Sequence, residues 1–403
     1  MKVSFAKQVI NPTLPCHMDG YDDRISNGIH DDLEVRTFML ESKETVVIHV
    51  LDILLISNEL SQSLKEILSK RFCLKENNII ILATHTHSGP KVSSYIFPDI
   101  LPSQEYLSLI ENTIVENTQR CLDTLVEAKA YFSITETENI FGNRNYIDAP
   151  YNNQLLSIQF RDMGEKPLLQ IVNIACHPTV LAHNFKEISS DFFGTFRNEY
   201  ERLTNIPLII INGEAGDVST RFTRKGQDYS EVERIGTQLA TLLSEISEYS
   251  FISLDNLEVS VCEYENVYHP QEDQYVINTR EKLVQLVSKM DSNEPGNAAR
   301  DLLKKIESKL EKETIHYNYA AKMIEAKDFR IVTFPGELVT ELGQKIRNAS
   351  DKKIFIAAYA DDFKGYAINK EAYGKIPETY TTEFPIGVAD GFVNKIIESF
   401  EKN

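Results

Sequence analysis

Two histidines one residue apart, His85 and His87, close the segment 79–90, IIILATHTHSGP. The apolar run 79–83 reads as a short buried strand. In an extended chain, side chains two apart point to the same side. Both imidazoles can therefore face one cavity at the C-terminal end of a strand, where open α/β sheets place their ligand crevices. Gly89 and Pro90 then turn the chain away. The chemistry such a pair can do is metal ligation or acid–base catalysis; two histidines that are simply hydrogen-bonded or exposed satisfy the same pattern.

Other strand ends carry similar polar clusters. The strand 168–175 runs into Cys176-His177-Pro178-Thr179, and Pro178 stops the ladder, so His177 sits at a turn. The strand 208–211 runs into the segment from Asn212 to Ser219, whose glycines allow close backbone approach and free Asp217 and Ser219 to turn inward. The strand 329–334 ends in Pro335-Gly336-Glu337, a carboxylate at the start of a helix, where capping accounts for it as well as chemistry does. The strand 354–359 leads through Asp361 and Asp362 to Gly365-Tyr366. Two or three imidazoles and a carboxylate suit a catalytic zinc, which takes neutral histidine and anionic oxygen and leaves one position for water. Zinc lowers the pKa of that water to about 7. His85, His177 and Glu337 can meet only if several strand ends converge.

The elements that must position these residues alternate along the chain. Strand patterns cover 45–51, 79–83, 155–160, 168–175, 207–211, 329–334 and 354–359; helical patterns cover 58–72, 105–126, 192–203, 231–246 and 386–400. The hydrophobic period switches repeatedly between two and about 3.6, which predicts an α/β fold with a mixed β-sheet core flanked by helices. The segment 291–327 is charged, with Leu302, Ile306 and Leu310 in i, i+4 register. It reads as a solvated amphipathic helix or hairpin, with a mobile lid or a partner surface as the alternative. The expected organisation is one domain over 1–403 with a helical insertion at about 270–327.

The 403 residues carry a net charge of −18, which argues against nucleic acid as a main partner and against docking on an anionic membrane. The first residues lack the apolar core of a signal peptide, and no apolar run reaches membrane-spanning length. Cys16, Cys73, Cys121, Cys176 and Cys262 are scattered and odd in number, which speaks against disulfides and against a cysteine zinc cage. Reduced thiols and a cytoplasmic location are expected. Cys176, in an apolar strand, reads as a buried inert thiol.

Thr84-His85-Thr86-His87-Ser88-Gly89-Pro90 resembles the histidine motif of the neutral/alkaline (non-lysosomal) ceramidases. The segment from Gly213 to Ser219 resembles their glycine-aspartate-valine-serine motif, Phe334-Pro335-Gly336-Glu337 their proline-glycine-glutamate strand end, and Gly142-Asn143-Arg144 their asparagine-arginine motif. Gly365-Tyr366-Ala367-Ile368, followed by Glu371-Ala372-Tyr373, is similar to their tyrosine segment. The motifs stand in the family's order, and with Gly28-Ile29-His30-Asp31 the resemblance covers nearly the whole chain.

The resemblance implies an amidohydrolase that cleaves an N-acyl, ceramide-like amide with a zinc-activated water. It implies one zinc per chain held by His85, His177, Glu337 and Tyr366. His87 would bond the substrate carbonyl and the developing oxyanion, and Arg144 would orient substrate or stabilise negative charge. Ser219 would be the family's essential serine, as nucleophile or as substrate anchor. Asp191, Asp217 and Asp52 are candidates for supporting the ligands from behind. His17, His30 and His183 are candidates for the entrance, whereas His49, His269 and His316 read as structural or solvated. The chain departs from the family after Ser219, at Thr220-Arg221, and after Tyr373, at 378–384. The resemblance also leaves no room for the C-terminal β-sandwich of the secreted ceramidases. The departures lie near the substrate, so ceramide is one candidate among N-acyl amides and lipid-like compounds. A zinc esterase or deacylase and a non-catalytic zinc sensor are the alternatives. A metal-free serine hydrolase is disfavoured, because the strand–Gly-x-Ser-x-Gly–helix elbow is missing.

Overall fold

Fourteen main strands, numbered here in chain order, form three sheets in the computed structural model, which describes residues 1–290 and 294–400. The first sheet contains β1 (Lys2–Val9), β2 (Glu34–Glu41), β3 (Thr45–Leu51), β4 (Ile79–Ala83) and β5 (Val126–Glu127), ordered β4-β3-β2-β1-β5. The second contains β6 (Lys129–Glu136), β7 (Gln154–Arg161), β8 (Pro167–Ile174), β9 (Leu208–Asn212) and β10 (Ser250–Ile252), ordered β9-β8-β7-β6-β10. The third contains β11 (Glu258–Tyr268), β12 (Ile315–Glu325), β13 (Phe329–Thr333) and β14 (Lys353–Ala357), in that order.

Each sheet is antiparallel except for one parallel pair at an edge: β3 with β4, β8 with β9, and β13 with β14. Parallel neighbours end on the same side, so each sheet delivers two strand ends together. Their other features follow the strand periodicity. One face of every sheet enters a shared core, where Phe38 and Val50 meet Ile158 and Phe160, and Phe329 and Phe355. The opposite faces are covered by helices. α1 (Asn58–Phe72) and α2 (Gln104–Asp123) contribute Leu64 and Ile110 against the first sheet. α3 (Asp191–Thr204) and α4 (Tyr229–Ser244) contribute Phe196 and Leu239 against the second. α7 (Thr340–Asn348) and α8 (Val388–Ser399) contribute Leu342 and Phe392 against the third. The α/β expectation, a mixed-sheet core flanked by helices, is borne out. No described helix is long and apolar enough to cross a membrane.

Two helices, α5 (Gln274–Val287) and α6 (Glu294–Leu310), lie between β11 and β12 in the chain. The charged stretch was expected to stay helical to about 327, but Ile315–Glu325 is a strand of eleven residues paired along its length with β11. Its alternating pattern, with Tyr319, Ala321 and Met323 inward, is masked in the sequence by Lys322 and the preceding helix. Residues 291–293 of the expected helical stretch lie outside the described residues.

The three parallel edges are stitched together by buried asparagines. Asn212, the last residue of β9, donates from Nδ2 to the Thr84 carbonyl (3.2 Å) beyond β4. Its Oδ1 accepts from the Cys176 amide (3.3 Å) beyond β8, and its carbonyl accepts from the Ala358 amide (3.0 Å) beyond β14. Asn173 donates to the carbonyls of Ile211 and Ile356 and accepts from the Ile356 amide (3.0 Å).

Candidate metal centre and substrate cavity

His85 leaves the end of β4 with a left-handed backbone (φ 72°). Its Nδ1 lies 2.7 Å from the Leu54 carbonyl. A carbonyl only accepts, so Nδ1 carries the proton and Nε2 presents its lone pair. His177 follows β8 and is built the same way, with Nδ1 at 2.6 Å from the Ala215 carbonyl and 3.2 Å from that of Val218. Its Nε2 stands 2.8 Å from Glu337 Oε2, and the His85 Nε2 stands 3.4 Å from the same oxygen. Three strand ends, one from each sheet, thus converge on one point.

These close approaches join acceptor to acceptor. Burial, reinforced by the Arg144 charge, lowers the His177 pKa to about 4, so the ring is neutral at pH 7. Burial alone would raise the Glu337 carboxyl, yet His85 and His177 hold it well below the usual carboxylate range. A neutral imidazole Nε2 and a carboxylate oxygen have no proton to share at 2.8 Å. A cation between them satisfies all the lone pairs, so the donor set fits a metal such as zinc. Stacking of Tyr359 on the His85 ring (centroids 4.2 Å apart, 22° between planes) fixes the ring's orientation.

His87 joins this cluster. Its Nε2 is 3.3 Å from His85 Nε2, and candidate ligand atoms of His85, His87 and His177 lie within 4.8 Å of one another. Its Nδ1 is buried without a hydrogen-bond partner. Burial, then the neighbouring histidines, hold its pKa well below the ordinary value, so His87 is neutral too. Gly20 (φ 108°) packs so closely that a Cβ there would meet the His87 ring at 2.7 Å.

A short parallel ribbon pairs Glu337 with Tyr366 across adjacent strands, which explains their common site although they stand 29 positions apart in sequence. The Tyr366 ring stacks 6.3 Å from that of His177, and the Arg144 guanidinium lies 5.1 Å from its centroid. Burial raises the Tyr366 hydroxyl and the Arg144 charge opposes it. A second ribbon pairs Gly142 with Ser219 and Asn143 with Val218. Ser219 is buried, and its Oγ accepts from the Arg221 amide (3.2 Å). Arg144 donates from Nε to Glu378 (2.7 Å), which also accepts from Asn145 (3.0 Å). Glu378 was missed in the sequence, because nothing in the run 377–381 marks it as a partner of a residue 234 positions away.

The supporting aspartates separate into distinct tasks. Asp52 bonds Arg197, the Glu34 amide (2.9 Å) and the Thr84 hydroxyl (3.2 Å), bracing the residue before His85. Asp217 Oδ1 accepts from the Thr340 amide (2.8 Å) and hydroxyl (2.7 Å) at the start of α7, while Oδ2 takes Asn143 Nδ2 (3.0 Å). Capping is therefore done by Asp217 from outside the helix, and Glu337, offered in sequence as a cap, is turned to the histidines instead. Asp191 accepts from the amides of Leu181 (3.1 Å) and Phe192 (2.7 Å), with no direct bond to the cluster. Cys176 is buried with its thiol pushed well up by burial, an inert group. His49 is buried against Thr37 (2.8 Å).

The cluster lies at the floor of a cavity of about 770 Å³. His85, His87, Glu337 and Tyr366 line it, with Tyr21, Tyr95, Tyr275, Tyr317, Tyr373 and Phe363 as aromatic walls. α5 and α6 close one side. His17, His30 and His183 do not line this cavity. His17 faces Asp23 (2.8 Å) and His30 faces Glu187 (3.0 Å) on the surface.

Residues 8–207 match the family model described as neutral/alkaline non-lysosomal ceramidase, N-terminal. No curated protein sequence matches the chain. Among solved structures, the neutral ceramidase from Pseudomonas aeruginosa is similar with a TM-score of 0.75 at 16% identity, over 98% of this chain and 73% of that one. A ceramidase complexed with C2 is similar with a TM-score of 0.74 at 15% identity, over 100% of this chain and 75% of that one. The resemblance read from the ordered motifs is thus borne out by the family match and by the fold.

Proposed function

We propose that this chain, whose N-terminal half belongs to the neutral/alkaline non-lysosomal ceramidase family, is a zinc-dependent amidohydrolase acting on an N-acyl, ceramide-like amide. The observation that carries this reading is the meeting of His85 Nε2 and His177 Nε2 on the Glu337 carboxylate, with both Nδ1 atoms tied to backbone carbonyls. His85, His177, Glu337 and Tyr366 would hold the zinc. Bound there, zinc supplies a Lewis acid and a nucleophilic water at neutral pH.

The remaining residues do the protein's own part. The carbonyl-bound Nδ1 protons keep His85 and His177 in the ligating tautomer. Neutral His87, with one nitrogen toward the cluster, is placed to hydrogen-bond a substrate carbonyl oxygen and the charge that develops on it. Arg144, held by Glu378, keeps a fixed positive charge behind Tyr366 and stabilises its anionic form. Ser219, set by the ribbon with Gly142, would serve as nucleophile or as substrate anchor. The aromatic walls take an acyl chain and keep bulk water from the reacting amide.

The test is elemental analysis of the purified chain together with cleavage of a short-chain ceramide and related N-acyl amides. About one zinc per chain and chelator-sensitive cleavage is the expected result. Full-rate cleavage by metal-free protein would sink the proposal, as would a zinc-loaded chain that cleaves none of the panel.

A further inference from the structure

The cavity wall contributed by α6 and the turn that follows it contains Leu302, Lys305, Ile306, Lys309 and Lys312. Leu302, Lys305, Ile306 and Lys309 follow helical spacing and form one stripe, which on an amphipathic helix facing a pocket would ordinarily be apolar. Here lysines alternate with the aliphatic residues. Lys309 is committed to the wall itself: its ammonium lies 4.9 Å from the Tyr268 ring and 6.0 Å from that of Tyr317. Lys305 and Lys312 make no side-chain ion pair or hydrogen bond among the described residues. Both line the cavity and are exposed to solvent, Lys305 on the helix and Lys312 just past its end.

Unpaired cations facing a cavity are notable in a chain of net charge −18. The neighbouring acids are already engaged. Glu383 and Asp362 share Lys364, at 4.0 and 3.1 Å. Asp273 accepts from the Tyr268 hydroxyl (2.7 Å) and from the Tyr275 and Val276 amides. The inner cation, Arg144, is already paired with Glu378 and packed against Tyr366.

We propose that Lys305 and Lys312 bind an anionic group on the substrate, remote from the scissile amide, so that the chain favours N-acyl amides bearing a carboxylate or phosphate over neutral ones. The proposal rests on the amidohydrolase reading of the site below. Two charge-assisted contacts at a solvent-facing rim are worth about tenfold in affinity.

The experiment compares N-dodecanoylglycine with N-dodecanoylethanolamine on the zinc-loaded chain, by calorimetric Kd at low salt with product followed in the same samples. The monoethanolamide of dodecanedioic acid, as a third probe, moves the anion to the acyl side. Expected is an affinity for one or both charged amides about tenfold above that for the neutral one, a gap that closes in Lys305→Gln/Lys312→Gln. Equal affinities, or a gap that survives in the double variant, overturn the proposal. A lysine-dependent gap without product retains the anion site and removes the amidohydrolase reading instead.

Discussion

Replacing Asn212 by alanine removes the side chain that ties the first sheet to the second behind the histidine cluster, while its backbone bond to Ala358 of the third remains. The side chain makes two buried bonds, to the Thr84 carbonyl and from the Cys176 amide, each next to a histidine of the cluster. Alanine leaves that carbonyl and that amide buried without the asparagine, and each such orphan costs about 1–3 kcal/mol. The expected loss is therefore roughly 2–6 kcal/mol of global stability. Thr84 and Cys176 precede His85 and His177 directly, so their release also loosens the spacing of the two Nε2 atoms. Zinc affinity should weaken by about tenfold to a hundredfold, as when a group supporting a ligand is lost. Urea unfolding monitored at two zinc concentrations measures both quantities, provided the m-value is unchanged. A stability within about 0.5 kcal/mol of the parent, with unaltered zinc affinity, would refute the assignment of Asn212 as the joint between sheets.

His85→Ala and Glu337→Ala should lose both bound zinc and hydrolysis, whereas His87→Ala should keep zinc and lose rate by on the order of a hundredfold; elemental analysis beside kcat separates the two classes, and an empty site in His87→Ala would make it a ligand. Glu378→Gln takes the counter-charge from Arg144 and leaves its guanidinium only a neutral amide oxygen as acceptor, so kcat/KM should fall by about tenfold with zinc content unchanged; an unaffected kcat/KM would mean that Arg144 needs no charged partner. Burial raises the Asp191 carboxyl to about 6, against the pull of the Leu181 and Phe192 amides. The folded chain then holds a proton that the unfolded chain releases near pH 4, so stability should fall as pH rises from about 4 to about 6 and level off above. Asp191→Asn should flatten that slope, worth at most about 3 kcal/mol, in urea titrations across the window; an identical slope in the variant would exclude Asp191 as its source.

The sequence by itself determined the local elements and the inventory of the site. The run 79–83 and the helix Asn58–Phe72 stand where the pattern put them, because an apolar pentad is too short for a buried helix and leucines four apart follow the helical period. His85, His177, Glu337 and Tyr366 were legible as polar residues at strand ends, and as members of ordered motifs. Only the tertiary structure decided that these ends meet. Periodicity carries no information about which strands pair in parallel, yet parallel pairing at one edge of each sheet is what brings three C-terminal ends to one place. Nor could it set Glu337 against capping: the identity of the residue that satisfies α7 depends on Asp217, more than a hundred positions away. The strand Ile315–Glu325 was hidden for a related reason, since its alternation is interrupted by Lys322 and is fixed only by pairing with β11. Glu378 belongs with these, a buried carboxylate whose purpose exists only because folding sets it against Arg144.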